Sequence, residues 1–205
     1  MLLTNALIYL GQATVHWPLT QQQLRRRLLG ERPSTTPLEL DFADLADGIR
    51  ADRASWVKML VDEKNQVQCG DGLLTAYRSI TMDGALVWYV FAKDKPHGYH
   101  SLAEHPDEAF REARAAMAAR KRALSQWETV QGFGELLRSG QVSFTFTSAD
   151  LKGTPLCDLG IQNFLRTFRL HRVQRISGRW VGWLMLIEPQ VGFVVYASLV
   201  RRGFL

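Results

Sequence analysis

The sequence lacks the motifs by which most enzymes and metal proteins are identified. No GxSxG, HExxH, Walker A or EF-hand pattern occurs, and there is neither a paired CxxC nor an internal repeat. The two cysteines, Cys69 and Cys157, lie far apart, so neither a disulfide framework nor a zinc ribbon is indicated. We therefore predict no cofactor and no catalytic residues, and we favour a non-enzymatic role.

Signals for export and for membrane insertion are also missing. Residues 1–10 are apolar but carry no basic n-region and no cleavage site, so we expect no secretory signal and a cytoplasmic protein. The most apolar stretch, 180–200, is interrupted by Glu188 and Pro189. A charge near the middle of a span costs roughly 2.5–3.5 kcal/mol, and the proline breaks a helix. The sequence thus predicts two buried segments and no membrane span.

The secondary structure of these two segments is ambiguous in the sequence. Val191, Val194 and Val195 favour a strand. Pro189 before the second segment and Gly203 after it are typical of the two ends of a helix. We favour helices for both segments.

The clearest pattern is a β-hairpin in the middle of the chain. Asp83-Gly84 separates two apolar-rich runs, 73–81 and 86–93, and Asp-Gly is typical of a two-residue type I′ turn. That turn places Ile80 opposite Val87. Because both faces of the hairpin carry large apolar side chains, we expect it to be covered on two sides.

Amphipathic segments surround the hairpin. Apolar residues recur at helical spacing over 41–62 and again over 106–127. The glycines of 131–140 predict a connection, and the alternation over 141–147 predicts a strand that adds to the hairpin sheet. Residues 1–37 are predicted to hold two short helices and a linker.

These patterns predict an α+β protein, in which an antiparallel β-hairpin-based sheet is packed by amphipathic helices and the C-terminal third is hydrophobic and helical. We divide the chain into an N-terminal helical segment and linker (1–37), an α+β core (38–137) and a basic, apolar C-terminal segment (138–205). The last segment is either separate or packed into the same domain as the core.

Positive charge is concentrated at the end of the chain. Residues 138–205 contain nine Lys and Arg against three Asp and Glu, a net +6, whereas the preceding residues contain sixteen against seventeen. Such polarisation is typical of a surface that binds a polyanion, although it also serves solubility. A helix beginning at His171 would bring several late arginines together. The predicted nucleic-acid-binding residues are Arg166, Arg169, Arg172, Arg175 and Arg179 in this region, with Arg111, Arg114, Lys121 and Arg122 on the long helix.

We therefore expect a non-enzymatic, nucleic-acid-associated accessory or regulatory protein. A helix-turn-helix is not well matched, because Val173 and Ile176 come too early for its core spacing. One alternative is a protein-interaction subunit or inhibitor anchored by C-terminal aromatic residues, with self-association left open. Another is a metal-dependent enzyme that uses His97, His100 and His105, since imidazole binds zinc or nickel, although their spacing fits no helical metal motif.

Overall fold

A computed structural model describes residues 57, 59–81, 84–92 and 98–205. The helices and linker predicted for 1–37, and the first part of the helix predicted for 41–62, lie outside these residues. The strands are β1 Met59–Gln68, β2 Thr75–Thr81, β3 Leu86–Phe91, β4 Tyr99–Ser101, β5 Thr145–Thr147 and β6 Arg175–Ser177. The helices are α1 Pro106–Leu124, α2 Trp127–Ser139, α3 Asp158–Thr167, α4 Gly178–Ile187 and α5 Val191–Arg201, with a 3-10 turn at Ser148–Leu151.

The predicted hairpin lies at the centre of a four-stranded antiparallel sheet with the order β1-β2-β3-β4. One face contacts α1 through a cluster that includes Ala76, Val90 and Phe110, and the opposite face contacts Leu159 of α3 through Val87. The prediction of cover on two sides is confirmed, and so is the α+β fold class. The helix predicted to reach residue 62 is wrong over 59–62, because those residues pair with β2 as a strand.

The predicted register of the hairpin is wrong by one residue. Ile80 pairs with Leu86, and Val87 pairs with Ser79. Thr81 donates its amide to the Ala85 carbonyl (2.9 Å), Gly84 donates to the Thr81 carbonyl (2.9 Å), and Gly84 has a φ of +87°. The connection between the two strands is thus one residue longer than the predicted two-residue turn, and a left-handed glycine is common in connections of that length. The slip puts Ile80 and Val87 on opposite faces of the sheet.

The helical region after the sheet consists of two helices. Pro106 occupies the first turn of α1, Ser125 follows its last residue, and α2 begins two residues later. The predicted connection over 131–140 is therefore wrong up to Ser139. Its glycines permit close helix packing, because a Cβ at Gly182 of α4 would lie 2.8 Å from the backbone oxygen of Gly134.

The C-terminal third forms a second hydrophobic core. Strand β5, shorter than predicted, pairs with β6 in a separate two-stranded sheet and does not extend the hairpin sheet. The helix predicted from His171 is also wrong, because this stretch is a loop followed by β6, whereas the two apolar helices predicted for 180–200 are confirmed as α4 and α5. No helix in the described part of the chain is long and apolar enough to cross a bilayer. The fully buried side chains of this core are Val130, Leu137, Phe146 and Val195.

A buried carboxylate fixes the end of α5. The Asp150 side chain is inaccessible to solvent and forms ion pairs with Arg201 and Arg202. Burial raises the pKa of Asp150, but hydrogen bonds from Arg201 and from the Thr147 amide and hydroxyl outweigh it and hold the pKa at about 2. Asp150 is therefore charged at neutral pH, and it couples the 3-10 turn to α5.

Candidate nucleic-acid interface

Five of the predicted binding residues lie on one continuous stretch, residues 166–179, which we call the arginine segment. It runs from the last turn of α3, through a loop and β6, to the first turn of α4. All five of its arginines are exposed, and within the described residues none of them forms an ion pair. The segment therefore presents guanidinium groups to solvent that no described carboxylate neutralises. These residues are Arg166, Arg169, Arg172, Arg175 and Arg179.

The loop of the arginine segment begins at a tight helix end. Leu170 donates its amide to the Leu165 carbonyl (2.7 Å), and Arg169 donates to the Arg166 carbonyl (3.0 Å). These two bonds define a Schellman motif, which usually has glycine at its left-handed position. Here that position is Arg169, with a φ of +56°, and it is the only non-glycine residue with positive φ in the described ranges.

Both ends of the segment are held by the second core. Leu170 packs against this core just after the Schellman motif, and Ile176 of β6 pairs with Phe146 of β5. At the far end Gly178 donates its amide to the Phe144 carbonyl (2.7 Å), and a Cβ there would lie 2.6 Å from the Leu137 side chain. The arginines are thus carried by backbone that is fixed on either side of them.

The four basic residues predicted on the long helix lie on α1 and are also exposed. Arg111 pairs with Glu108 (3.7 Å), and Arg114 pairs with Asp71. The hydrogen bond from Arg114 lowers the pKa of Asp71, which keeps this carboxylate charged beside the guanidinium. Lys121 and Arg122 lie in the last turn of α1, where cations complement the helix dipole. Two of the four charges are thus neutralised locally, unlike those of the arginine segment.

Other basic residues of the C-terminal third have structural contacts. Arg138 lies over the Trp183 ring (5.8 Å), and Arg202 lies over the Phe144 ring (3.9 Å) while it donates to the Thr145 carbonyl. Together with the Asp150 ion pairs, these contacts engage three of the nine basic residues of this region, Arg138, Arg201 and Arg202. The arginine segment contributes five exposed arginines without such contacts among the described residues.

The three loop histidines do not form a common site in the described structure. His97 lies outside the described residues, His105 is exposed at the start of α1, and His100 is buried in β4 with its ring stacked on Tyr89. No group of three or more potential metal ligands occurs among the residues that the structure describes. The metal-enzyme hypothesis therefore gains no support from these residues.

Sequence reasoning missed a contact between His100 and Cys157. The His100 Nδ1 atom lies 3.3 Å from the Cys157 Sγ atom, and Cys157 caps α3 by accepting a hydrogen bond from the Gly160 amide (3.4 Å). Burial raises the pKa of the Cys157 thiol, so it stays protonated. Cysteine is not among the usual N-cap residues. No local pattern in the sequence signals this pair.

The pair lines a cavity of about 260 Å³ beneath the arginine segment. Leu170, Val173 and Ile176 of that segment form part of its wall. His171 and Gln174 of the segment also line the cavity, so the segment contributes both apolar and polar residues to it, whereas none of its five described arginines lines the cavity. No protein-family model matches the chain, and neither the curated proteins nor the solved structures contain a significant match to it.

Proposed function

We propose that the chain binds nucleic acid through the arginine segment and acts as a non-enzymatic accessory or regulatory protein. The observation that carries the proposal is the set of five exposed arginines without ion pairs among the described residues. Guanidinium groups bind phosphate oxygens through paired hydrogen bonds, and phosphate contacts supply most of the affinity of non-specific nucleic-acid binding.

The backbone at Arg169 gives independent support. A left-handed conformation costs an L-residue about 1–2 kcal/mol relative to its preferred conformations, a cost that glycine avoids. Residues held in such conformations are enriched at functional sites. An arginine at a position that favours glycine is therefore consistent with a side chain retained for binding.

The test compares two charge-removal variants of the full chain. In the first, the five arginines of the segment are changed to glutamine; in the second, the four basic residues of α1 are changed in the same way. Fluorescence anisotropy with labelled duplex DNA, single-stranded DNA and single-stranded RNA at about 50 mM salt measures binding. We expect the first variant to lose binding and the second to retain most of it, with both variants showing wild-type circular dichroism. Equal affinity of wild type and the first variant for every probe would refute the proposal.

A second candidate function is docking to another protein through α4. Trp180 and Trp183 are 65% and 47% exposed, and Ile187 follows at the same helical face. Exposed tryptophans are common anchors of protein interfaces. Sedimentation velocity of the purified chain, with Trp180→Gln and Trp183→Gln as a paired variant, tests the self-association form of this idea. A concentration-dependent oligomer that the variant abolishes supports it, whereas a monomer at every concentration removes that form.

A further inference from the structure

The cavity beneath the arginine segment has the size and composition of a small-molecule site. It is lined by α3, the arginine segment and the two C-terminal helices, together with residues of β4, α1, β5 and the 3-10 turn, and its volume is about 260 Å³. For comparison, an apolar cavity of about 150 Å³ is enough to bind benzene. Its wall is mainly apolar, and it includes Ile161, Phe164, Leu165, Leu170, Ile176 and Val194.

Two buried polar features interrupt this wall. The first is the His100–Cys157 pair, in which His100 is 9% exposed and the thiol lies at the N-terminus of α3. The second is Glu188, which is 7% exposed and accepts a hydrogen bond from the Gln190 amide (3.0 Å). A mainly apolar pocket with a few placed polar groups is the usual composition of a ligand site, because the apolar wall supplies affinity and the polar groups fix orientation.

The charged residues that line the cavity, within the described part of the chain, indicate the class of ligand. Glu188 contributes one carboxylate and Arg120 one guanidinium, so the lining favours neither an anion nor a cation. Transfer of an ion from water into so apolar a space is unfavourable without a dedicated partner. A neutral molecule with a small polar group avoids that cost.

We propose that this cavity is a binding site for a small, uncharged and largely apolar molecule of one or two rings, whose polar group hydrogen-bonds to the His100–Cys157 pair. The proposal does not depend on nucleic-acid binding, because none of the five described arginines of the segment lines the cavity. It can be tested on the full chain with four commercial probes: benzene, phenol, indole and benzoate.

The two cysteines provide the assay. Cys157 lines the cavity, whereas Cys69 lies at the end of the first sheet beside Arg114 and serves as an internal control. Alkylation by iodoacetamide is followed for each thiol by mass spectrometry. A competing ligand at ten times its Kd slows labelling about tenfold, by the same saturation factor that governs ligand-linked stability. We expect phenol and indole to slow the labelling of Cys157 without affecting Cys69, and benzoate to have no effect.

Three variants locate the site. Ile161→Trp fills the cavity and should abolish the protection, whereas Leu186→Trp introduces the same side chain at an exposed position of α4 and should preserve it. If thermal melting shows that Ile161→Trp does not fold, Val194→Phe replaces it. His100→Phe keeps a ring to stack on Tyr89 but removes the hydrogen bond. By calorimetry it should weaken phenol about 2- to 10-fold and leave benzene unchanged.

Failure takes two distinct forms. If no probe slows Cys157 labelling or gives a heat of binding up to its solubility limit, the cavity does not bind neutral rings and the proposal is wrong. If Leu186→Trp abolishes the protection as fully as Ile161→Trp, binding occurs elsewhere and the proposal is also wrong. Neither result bears on nucleic-acid binding, which is measured separately on the same protein.

Discussion

Substitution of Arg169 by glycine should make the protein more stable and a weaker binder of nucleic acid. Arg169 occupies the left-handed position of the Schellman motif that ends α3, with a φ of +56°. Glycine removes a conformational cost of about 1–2 kcal/mol but adds about 0.5–1 kcal/mol of backbone entropy to the unfolded chain. The net gain is therefore about 0.5–1 kcal/mol.

Thermal melting and urea denaturation measure the stability change. For a chain of 150–250 residues, 1 kcal/mol shifts Tm by about 2–4 °C, so we expect an increase of roughly 1–4 °C. The matched control is Arg172→Gly, because Arg172 is exposed in the same loop and does not have positive φ. Glycine there should leave Tm unchanged or lower it.

The binding measurement uses the same two proteins. Each arginine that contacts a phosphate adds about one unit to the dependence of log K on log salt, so both glycine variants should lower that slope by about one. The two variants thus share a loss of binding and differ in stability. A lower Tm for Arg169→Gly than for wild type would refute the assignment of strain at this position. Unchanged affinity and slope in both variants would refute their role in phosphate binding.

Three further predictions concern the second core and the cavity. Asp150→Asn should lower the free energy of unfolding by about 2 kcal/mol at neutral pH, because the folded pKa of about 2 lies below the unfolded value of 3.8. This stabilisation is present above pH 4 and is lost as the pH falls through 2. In urea denaturation, the stability of the variant should therefore approach that of wild type in acid. Gly182→Ala should cost about 1–3 kcal/mol in urea denaturation, because its Cβ would lie 2.8 Å from the Arg138 backbone nitrogen, whereas Gly132→Ala in open helical space should gain about 0.5–1 kcal/mol. If the cavity and the arginine segment both bind as proposed, saturating phenol should alter the affinity for nucleic acid, and nucleic acid should alter the affinity for phenol by the same factor in paired titrations. Equal affinities with and without the other ligand would show that the two sites are not energetically coupled.

The parts of the fold that the sequence predicts are those set by local signals. Pro106 and the acidic residues after it locate the start of α1, and Pro189 with the basic end of α5 indicates the two apolar helices. The Asp-Gly pair locates a turn, but it is compatible with two turn types that differ by one residue in register. A local pattern can thus place an element without fixing its partner residues.

The secondary-structure predictions that are wrong concern elements that depend on tertiary packing. Glycine disfavours a helix interior, yet Gly134 lies inside α2, where α4 approaches it closely through Gly182. Strand β6 is three residues long and is defined by its pairing with β5, so it is too short for an alternating pattern to predict it from the sequence. The exposed arginines themselves are visible in the sequence, whereas the mainly apolar cavity beside them depends on strands and helices that come together only in the folded chain.

The salt dependence of binding tests the central proposal most directly. Five arginines that each neutralise one phosphate should give a slope of log K against log salt of about −4.5 on duplex DNA, or about −3.5 on a single strand. We predict that value for the wild-type chain and a slope near zero after the five arginines of the segment are changed to glutamine. A wild-type slope near zero, or a steep slope that survives those five substitutions, would contradict the assignment of nucleic-acid binding to the arginine segment.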